Sequence, residues 1–289
     1  MMAWFKKKKT HNAQDIMGAN NKTLHKNLDF TATEQYKLLR ANLNFVLPEG
    51  EKCPVVGITS SIRGEGKSTT AINLAYVLAQ KGHKVLLIDG DLRLPSLAKK
   101  LEINNSFGLT DLLLGRSGRI DVEKFRSDLM DNLYILLSGT IPPNPSELLG
   151  SRRMETLLNE LKEIFEYIIV DLPPVNIVSD AVSISQLLSG IIVVMRGGYT
   201  TKRDIEACFK QLELSNAKIL GCVMACSVRM GGSYGKYKKY KYYGRYGRYG
   251  RYGRYGRYSR YGKYEQYGPY GQYGAHDQEK QPPSDGKNV

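Results

Sequence analysis

Residues 60–69 read Ser60-Ser61-Ile62-Arg63-Gly64-Glu65-Gly66-Lys67-Ser68-Thr69. Two glycines allow the backbone to turn so that neighbouring N–H groups point at one anion, and a lysine follows them directly. Lys67 can reach the outer phosphates of a nucleotide, and the Ser68 hydroxyl can ligate Mg²⁺. Gly64, Glu65, Gly66, Lys67, Ser68 and Thr69 are therefore the expected ATP-binding residues. The run follows the P-loop pattern, Gly-x-x-x-x-Gly-Lys-Ser/Thr, except that Ser61 stands at the first glycine position. The plainer reading is a Gly-rich turn ahead of a core helix.

Two acidic motifs join it. Tyr167-Ile168-Ile169-Val170-Asp171 is an apolar run ended by Asp and followed by Leu172-Pro173-Pro174. Val85-Leu86-Leu87-Ile88-Asp89-Gly90-Asp91-Leu92-Arg93 ends a second apolar run in paired carboxylates. A carboxylate at a strand end can hold Mg²⁺ through water, or can merely cap a helix or form a turn. All these acidic groups and the P-loop meet if their strands share a sheet, because open α/β sheets bind ligands at the carboxyl ends of their strands.

The elements that must position these groups follow from the apolar pattern. Short runs at Val55–Thr59, Val85–Asp89, Leu133–Leu137, Tyr167–Asp171, Ile191–Met195 and Ile219–Met224 read as strands. Helical patterns fall near 67–81, 146–165, 179–188 and 201–214, and Thr33 is placed to cap a helix running to about Val46. Alternation of this kind predicts an α/β fold, a P-loop NTPase with a mainly parallel β-sheet flanked by helices.

The chain has 289 residues and a net charge of +14. Counted from Arg229 onward there are 14 basic and 4 acidic residues, a net of +10, which leaves +4 for residues 1–228. The basicity thus sits in a tail. There Tyr234, Tyr237, Tyr240, Tyr243, Tyr246, Tyr249, Tyr252, Tyr255, Tyr258, Tyr261, Tyr264, Tyr267, Tyr270 and Tyr273 recur at every third position, with Tyr242 added. No aliphatic residue interrupts them, so this segment is expected to be a disordered Tyr-rich C-terminal tail. Collagen is excluded because the regular glycines stop after Gly256 and that run holds no proline. The expected organisation is a flexible segment over 1–29, a P-loop domain over 30–228 and the tail over 229–289.

The head, Met1 to Phe5 followed by Lys6 to Lys9, reads as a solubilising terminus. Contact with an anionic membrane through Trp4 is the alternative. No signal peptide and no membrane span are expected, since no apolar run nears ~18 residues. The 4 cysteines do not make a disulfide scaffold.

Taken together, these motifs resemble the bacterial tyrosine kinases (BY-kinases), P-loop proteins of the ParA/MinD type, over roughly residues 30–228. The resemblance rests on Gly64 to Ser68, on Asp89, Asp91 and Arg93, and on Asp171 to Pro174 with Ser179-Asp180 beyond. The stretch Ser138 to Leu148 and the tyrosine cluster are also similar. It implies an ATP- and Mg²⁺-dependent tyrosine autokinase whose phosphosites are the tail tyrosines. It further implies a separate transmembrane adaptor at the inner face of the cell membrane, a cognate phosphotyrosine phosphatase, a homo-oligomeric ring and a role in capsular or extracellular polysaccharide synthesis. No specific nucleic-acid partner is expected.

In phosphoryl transfer, Lys67, the loop amides and Mg²⁺ would neutralise phosphate charge. Ser68 would ligate Mg²⁺ directly, with Asp91 and Asp171 holding its waters. Asp89 would accept or orient the tyrosine proton, as the resemblance also implies, because a phenol of pKa about 10 needs a base at pH 7. A positioning ATPase of the ParA/MinD type, with a basic polymer-binding tail, would use the same residues on water. Against that reading, Ile62 stands where MinD-type ATPases carry a second lysine.

Several positions depart from or stand outside this pattern. The ring-assembly motif Glu-x-x-Arg-x-x-Arg appears as Glu34, Lys37 and Arg40, and Lys37 loses the bidentate fork of arginine. Ala225 stands where relatives place an adenine-facing Asn. Cys222 and Cys226, on an apolar strand, are expected in the core, and Tyr36, Tyr76, Tyr134, Tyr167 and Tyr199 are expected as packing residues. His83, Arg152 and Arg153 are expected at the surface.

Overall fold

The computed structural model describes residues 28–103, 107–116 and 120–226. The head at residues 1–9 and all the tail tyrosines from Tyr234 to Tyr273 lie outside the described residues.

Helix α1, Phe30–Val46, begins at Asp29, whose Oδ1 accepts the Ala32 amide at 2.7 Å. Asp29, not Thr33, is therefore the cap. Its backbone is extended, which lets a short carboxylate reach an unpaired amide in the first turn. Thr33 lies inside the helix, and its hydroxyl donates back to the Asp29 carbonyl at 2.9 Å.

Six strands follow: β1 Val55–Ser60, β2 Val85–Asp89, β3 Leu133–Leu136, β4 Tyr167–Asp171, β5 Gly190–Arg196 and β6 Ile219–Ala225. They form one sheet in the order β3-β2-β4-β1-β5-β6, with every pairing parallel. Helix α2, Lys67–Gln80, carries the chain from β1 to β2. Short helices α3, Leu97–Leu101, and α4, Leu109–Leu113, follow β2 and were not signalled by periodicity. The long pattern at 146–165 divides into α5, Pro145–Leu149, and α6, Arg152–Lys162. The break lies at Gly150, and Ser151 restarts the helix by accepting the Met154 amide at 3.2 Å. Helix α7, Asp180–Ile184, gives way to a 3₁₀ turn, and α8, Lys202–Leu214, precedes β6.

Strand residues alternate between two cores. Leu86, Ile88, Ile168, Val170, Ile191 and Val193 pack under α4 to α8. Leu87, Ile169, Ile192 and Val194 pack under α1 and α2. Both faces are covered, which explains the near-continuous apolar runs. The exception is the edge strand β6. Cys222 and Met224 are exposed on it, and Cys226 just beyond is exposed as well. The expected burial of these cysteines fails on β6, although β3 at the other edge is buried throughout, so edge position alone does not expose them. Helix α8 places Cys208 and Leu212 in the core, while Cys222 on β6 stays exposed.

Candidate active site

Strand order brings the chemistry together. Strand β1 is flanked by β4 on one side and β5 on the other, and β2 lies beyond β4. The loop after β1, the Asp residues ending β2 and β4, and the turn after β5 therefore share one edge of the sheet. Asp89 and Asp171 stand in direct register.

The loop takes its shape from Gly64 and Gly66, whose φ angles of +82° and +98° are costly for any other residue. Among the described residues, no protein acceptor takes the amides of Gly64 to Thr69. They form a cradle of unpaired donors at the start of α2, suited to an anion. Lys67 extends to the carboxylates, with Nζ 3.0 Å from Asp91 Oδ2 and 3.4 Å from Asp171 Oδ1. Burial works against its charge, but Asp171 and Asp91 outweigh burial and raise its pKa above the lysine range. The Ser68 hydroxyl accepts from Ser96 at 3.0 Å.

The three carboxylates differ in their surroundings. Asp89 is fully buried, and its oxygens accept the amides of Asp91 at 3.3 Å, Ser96 at 3.2 Å and Leu97 at 3.0 Å. Burial first, then the Asp171 charge, push its carboxyl up to about 7. Asp91 spends Oδ1 on the Leu94 amide at 3.0 Å and Oδ2 on Lys67. Burial raises the Asp171 carboxyl, against the pull of Lys67. Its Oδ2 is buried with no hydrogen-bond partner.

That orphaned oxygen, beside a hydroxyl and a second carboxylate, fits a divalent cation. Among the described residues no three acidic, His or Cys side chains make a metal site alone. Mg²⁺ commonly takes only one or two protein ligands and completes its shell with phosphates and water. Ser68, Asp91 and Asp171 are the side chains that would hold it.

The structure also finds partners that spacing did not reveal. Asp180 is fully buried and receives Nε and Nη2 of Arg93, each at 2.9 Å. Ser146 donates to the same carboxylate at 2.6 Å. The segments around Ser146 and Ser179-Asp180, singled out above by likeness alone, thus tie down the loop carrying Asp91. Arg153 is more than a solvating charge, since it donates to the Leu113 carbonyl at 3.0 Å. Lys100 on α3 lies within electrostatic range of Asp171 and Lys67, and burial lowers its pKa.

Other expected site residues are placed differently. The Glu65 side chain is buried and accepts from the Ser61 hydroxyl at 2.9 Å, the Ile62 amide at 2.8 Å and the Thr200 hydroxyl. Its carboxylate is thus spent on the loop's own frame, and only its backbone remains for a phosphate. Tyr199 is not a packed residue. It is 50% exposed and lies over Gly64. A Cβ added at Gly66 would sit 3.3 Å from the Ala225 Cβ, so the end of β6 abuts the loop. Glu34 and Lys37 pair with each other at 2.8 Å, while Arg40 turns inward to the Val77 carbonyl at 2.6 Å.

Comparison with known proteins bears on this arrangement. A family model described as an AAA domain matches residues 54–214. Tyrosine-protein kinase YwqD of Bacillus subtilis is 39% identical over 192 residues, covering 66% of this chain and 80% of that protein. The solved chimerical protein CapA2B2 superposes with a TM-score of 0.65 at 33% identity, covering 72% of this chain and 90% of that one. The kinase domain of Escherichia coli tyrosine kinase ETK gives 0.64 at 30% identity, covering 70% and 78%.

Proposed function

The chain belongs to the bacterial tyrosine-protein kinase family, and on that footing we propose that it phosphorylates its own C-terminal tyrosine cluster in trans, using Mg-ATP. As a protein-tyrosine kinase it converts ATP and a protein tyrosine to ADP and phosphotyrosine. The acceptor, the metal and the roles of individual residues are our reading. The observation that carries it is Lys67 held between Asp91 and Asp171 beside a loop of unpaired amides.

The loop amides and Lys67 bind the phosphates and hold the terminal one in place. Ser68, Asp91 and Asp171 would hold Mg²⁺, which would supply further charge neutralisation when bound. In the transfer, the bond between the γ-phosphorus and the β–γ bridging oxygen breaks as the tyrosine oxygen bonds to phosphorus. The phenolic proton passes to Asp89. A carboxyl with pKa about 7 is matched to that task, and its oxygens retain lone pairs beyond the amides they accept.

Self-association would use α1, where the Glu34–Lys37 pair lies exposed. Beside it an apolar cleft of about 360 Å³ opens between α1 and β6, with Phe45 86% exposed at its rim. A ring would bring one subunit's tail to another's site. A separate membrane-spanning adaptor would activate the kinase, a phosphatase would reverse it, and the biological role would be control of capsular or extracellular polysaccharide synthesis. Among the described residues no helix is long and apolar enough to cross a membrane. Purified full-length protein with Mg-ATP should carry phosphotyrosine within residues 234–273 by mass spectrometry. A tail unmodified with or without a membrane partner contradicts the proposal.

A further inference from the structure

Two carbonyls of the phosphate loop are held from outside by one turn of chain. The Tyr199 hydroxyl donates to the Arg63 carbonyl at 3.2 Å, and Arg196 Nη1 donates to the Gly64 carbonyl at 3.1 Å. Both come from the end of β5 and the turn after it, on the opposite side of β1 from Asp171 and Asp89. The two side chains brace each other, with the Arg196 guanidinium 5.2 Å above the Tyr199 ring. The turn itself is fixed, because the Arg196 amide donates to the Thr200 hydroxyl at 2.7 Å and that hydroxyl donates to buried Glu65.

A trans peptide unit is planar, with its C=O and the following N–H pointing to opposite sides. None of the peptide bonds here is cis. Drawing the Arg63 carbonyl toward Tyr199 therefore drives the Gly64 N–H the other way. Drawing the Gly64 carbonyl toward Arg196 does the same to the Glu65 N–H. Both amides belong to the set that has no protein acceptor. Gly64 has no side chain to resist rotation of these units, so an untethered loop would lose more freedom on binding phosphate.

We infer that Arg196 and Tyr199 are positioning residues that set the amides of Gly64 and Glu65 toward the nucleotide phosphates before nucleotide arrives. The inference rests on the nucleotide site proposed above. Neither residue touches the reacting atoms. Their effect therefore falls on ATP affinity and leaves turnover at saturation nearly unchanged, the signature of uniform binding.

The test uses full-length protein with Mg²⁺ and a fluorescent ATP analogue, together with autophosphorylation rates across ATP concentration. Tyr199→Phe removes one donor and keeps the ring, and should weaken binding about five-fold. Arg196→Ala should weaken it about ten-fold and Arg196→Lys less, with saturated turnover within about two-fold in each. Melting temperature without nucleotide should stay within about 2 °C. If Arg196→Ala loses the fold, Tyr199→Phe decides. Wild-type affinity in the folded variants, or lost turnover with unchanged KM, overturns the inference alone. Wild-type protein that binds no nucleotide overturns the kinase reading and this inference with it.

Discussion

Asp89 and Asp171 end neighbouring parallel strands and stand directly opposite each other, both fully buried. Burial and the Asp171 charge raise the Asp89 carboxyl, burial and the Asp91 charge raise that of Asp171, and Lys67 compensates only in part. The pair is a structural liability that a bound cation would relieve. Asp171→Asn keeps an oxygen for Lys67 and removes one buried charge. It should raise the melting temperature of the nucleotide-free protein by a few degrees, on the order of 1 kcal/mol, and abolish further stabilisation by Mg-ATP. Asp89→Asn should spare Mg-ATP binding and slow transfer about 100-fold or more. Calorimetry and single-turnover assays check both. If Asp89→Asn loses Mg-ATP affinity as badly as Asp171→Asn, the two roles are reversed.

Arg93 and Asp180 make a second coupled pair, 40% exposed on the Arg93 side and fully buried on the Asp180 side. Arg93→Ala strands a buried carboxylate whose remaining side-chain donor, among the described residues, is Ser146. We expect a loss of about 2 kcal/mol in stability, discounted for the exposed guanidinium. Asp180→Ala added to Arg93→Ala should recover part of it. Urea unfolding of the four-member cycle measures the coupling, and strict additivity would show that the pair is not coupled.

How far the sequence reaches depends on the kind of signal. The bounds of β2 and β4 are legible because unbroken apolar runs end in Asp. The loop is legible because Gly-x-Gly-Lys-Ser is a local device. The split at Gly150 and Ser151 is not, since the apolar periodicity continues across it. Nor are the contacts from Arg196 and Tyr199, which cross 132 and 136 residues of sequence. The exposure of Cys222 depends on how fully neighbouring elements cover β6, and an apolar run does not encode that.

Self-association should run through the exposed side of α1. Lys37→Ala breaks only an exposed pair within the helix, so its effect on stability should stay below about 0.5 kcal/mol. Its effect on particle size should be larger, shifting the protein toward monomer. Arg40→Ala is a poorer probe, because it also frees α1 from the Val77 carbonyl on α2. Light scattering on Lys37→Ala decides, and unchanged size removes this surface from consideration.

The tail carries +10 beyond residue 228. Each phosphate adds about −1.5 to −2 near pH 7, so roughly six would cancel that charge. With 15 tyrosines present, heavy phosphorylation can reverse its sign. A ring held partly by a cationic tail at an acidic site should then loosen. Fully phosphorylated protein should run as smaller species in size-exclusion chromatography. If it stays as large as the unphosphorylated form, the tail does not hold the assembly.

Whether the Lys67 site phosphorylates the tail of another subunit can be read in one mixture. Full-length Lys67→Met protein supplies an intact tail and no working site. A full-length chain with every tail tyrosine from Tyr234 to Tyr273 changed to Phe supplies the site and no acceptor in that cluster. Each alone with Mg-ATP should leave residues 234–273 unlabelled. Mixed, they should place phosphate on the tail of the Lys67→Met chain, read by mass spectrometry. Labelling of Lys67→Met protein on its own would contradict the account, as would an unlabelled tail in a mixture run under conditions where wild-type protein labels itself.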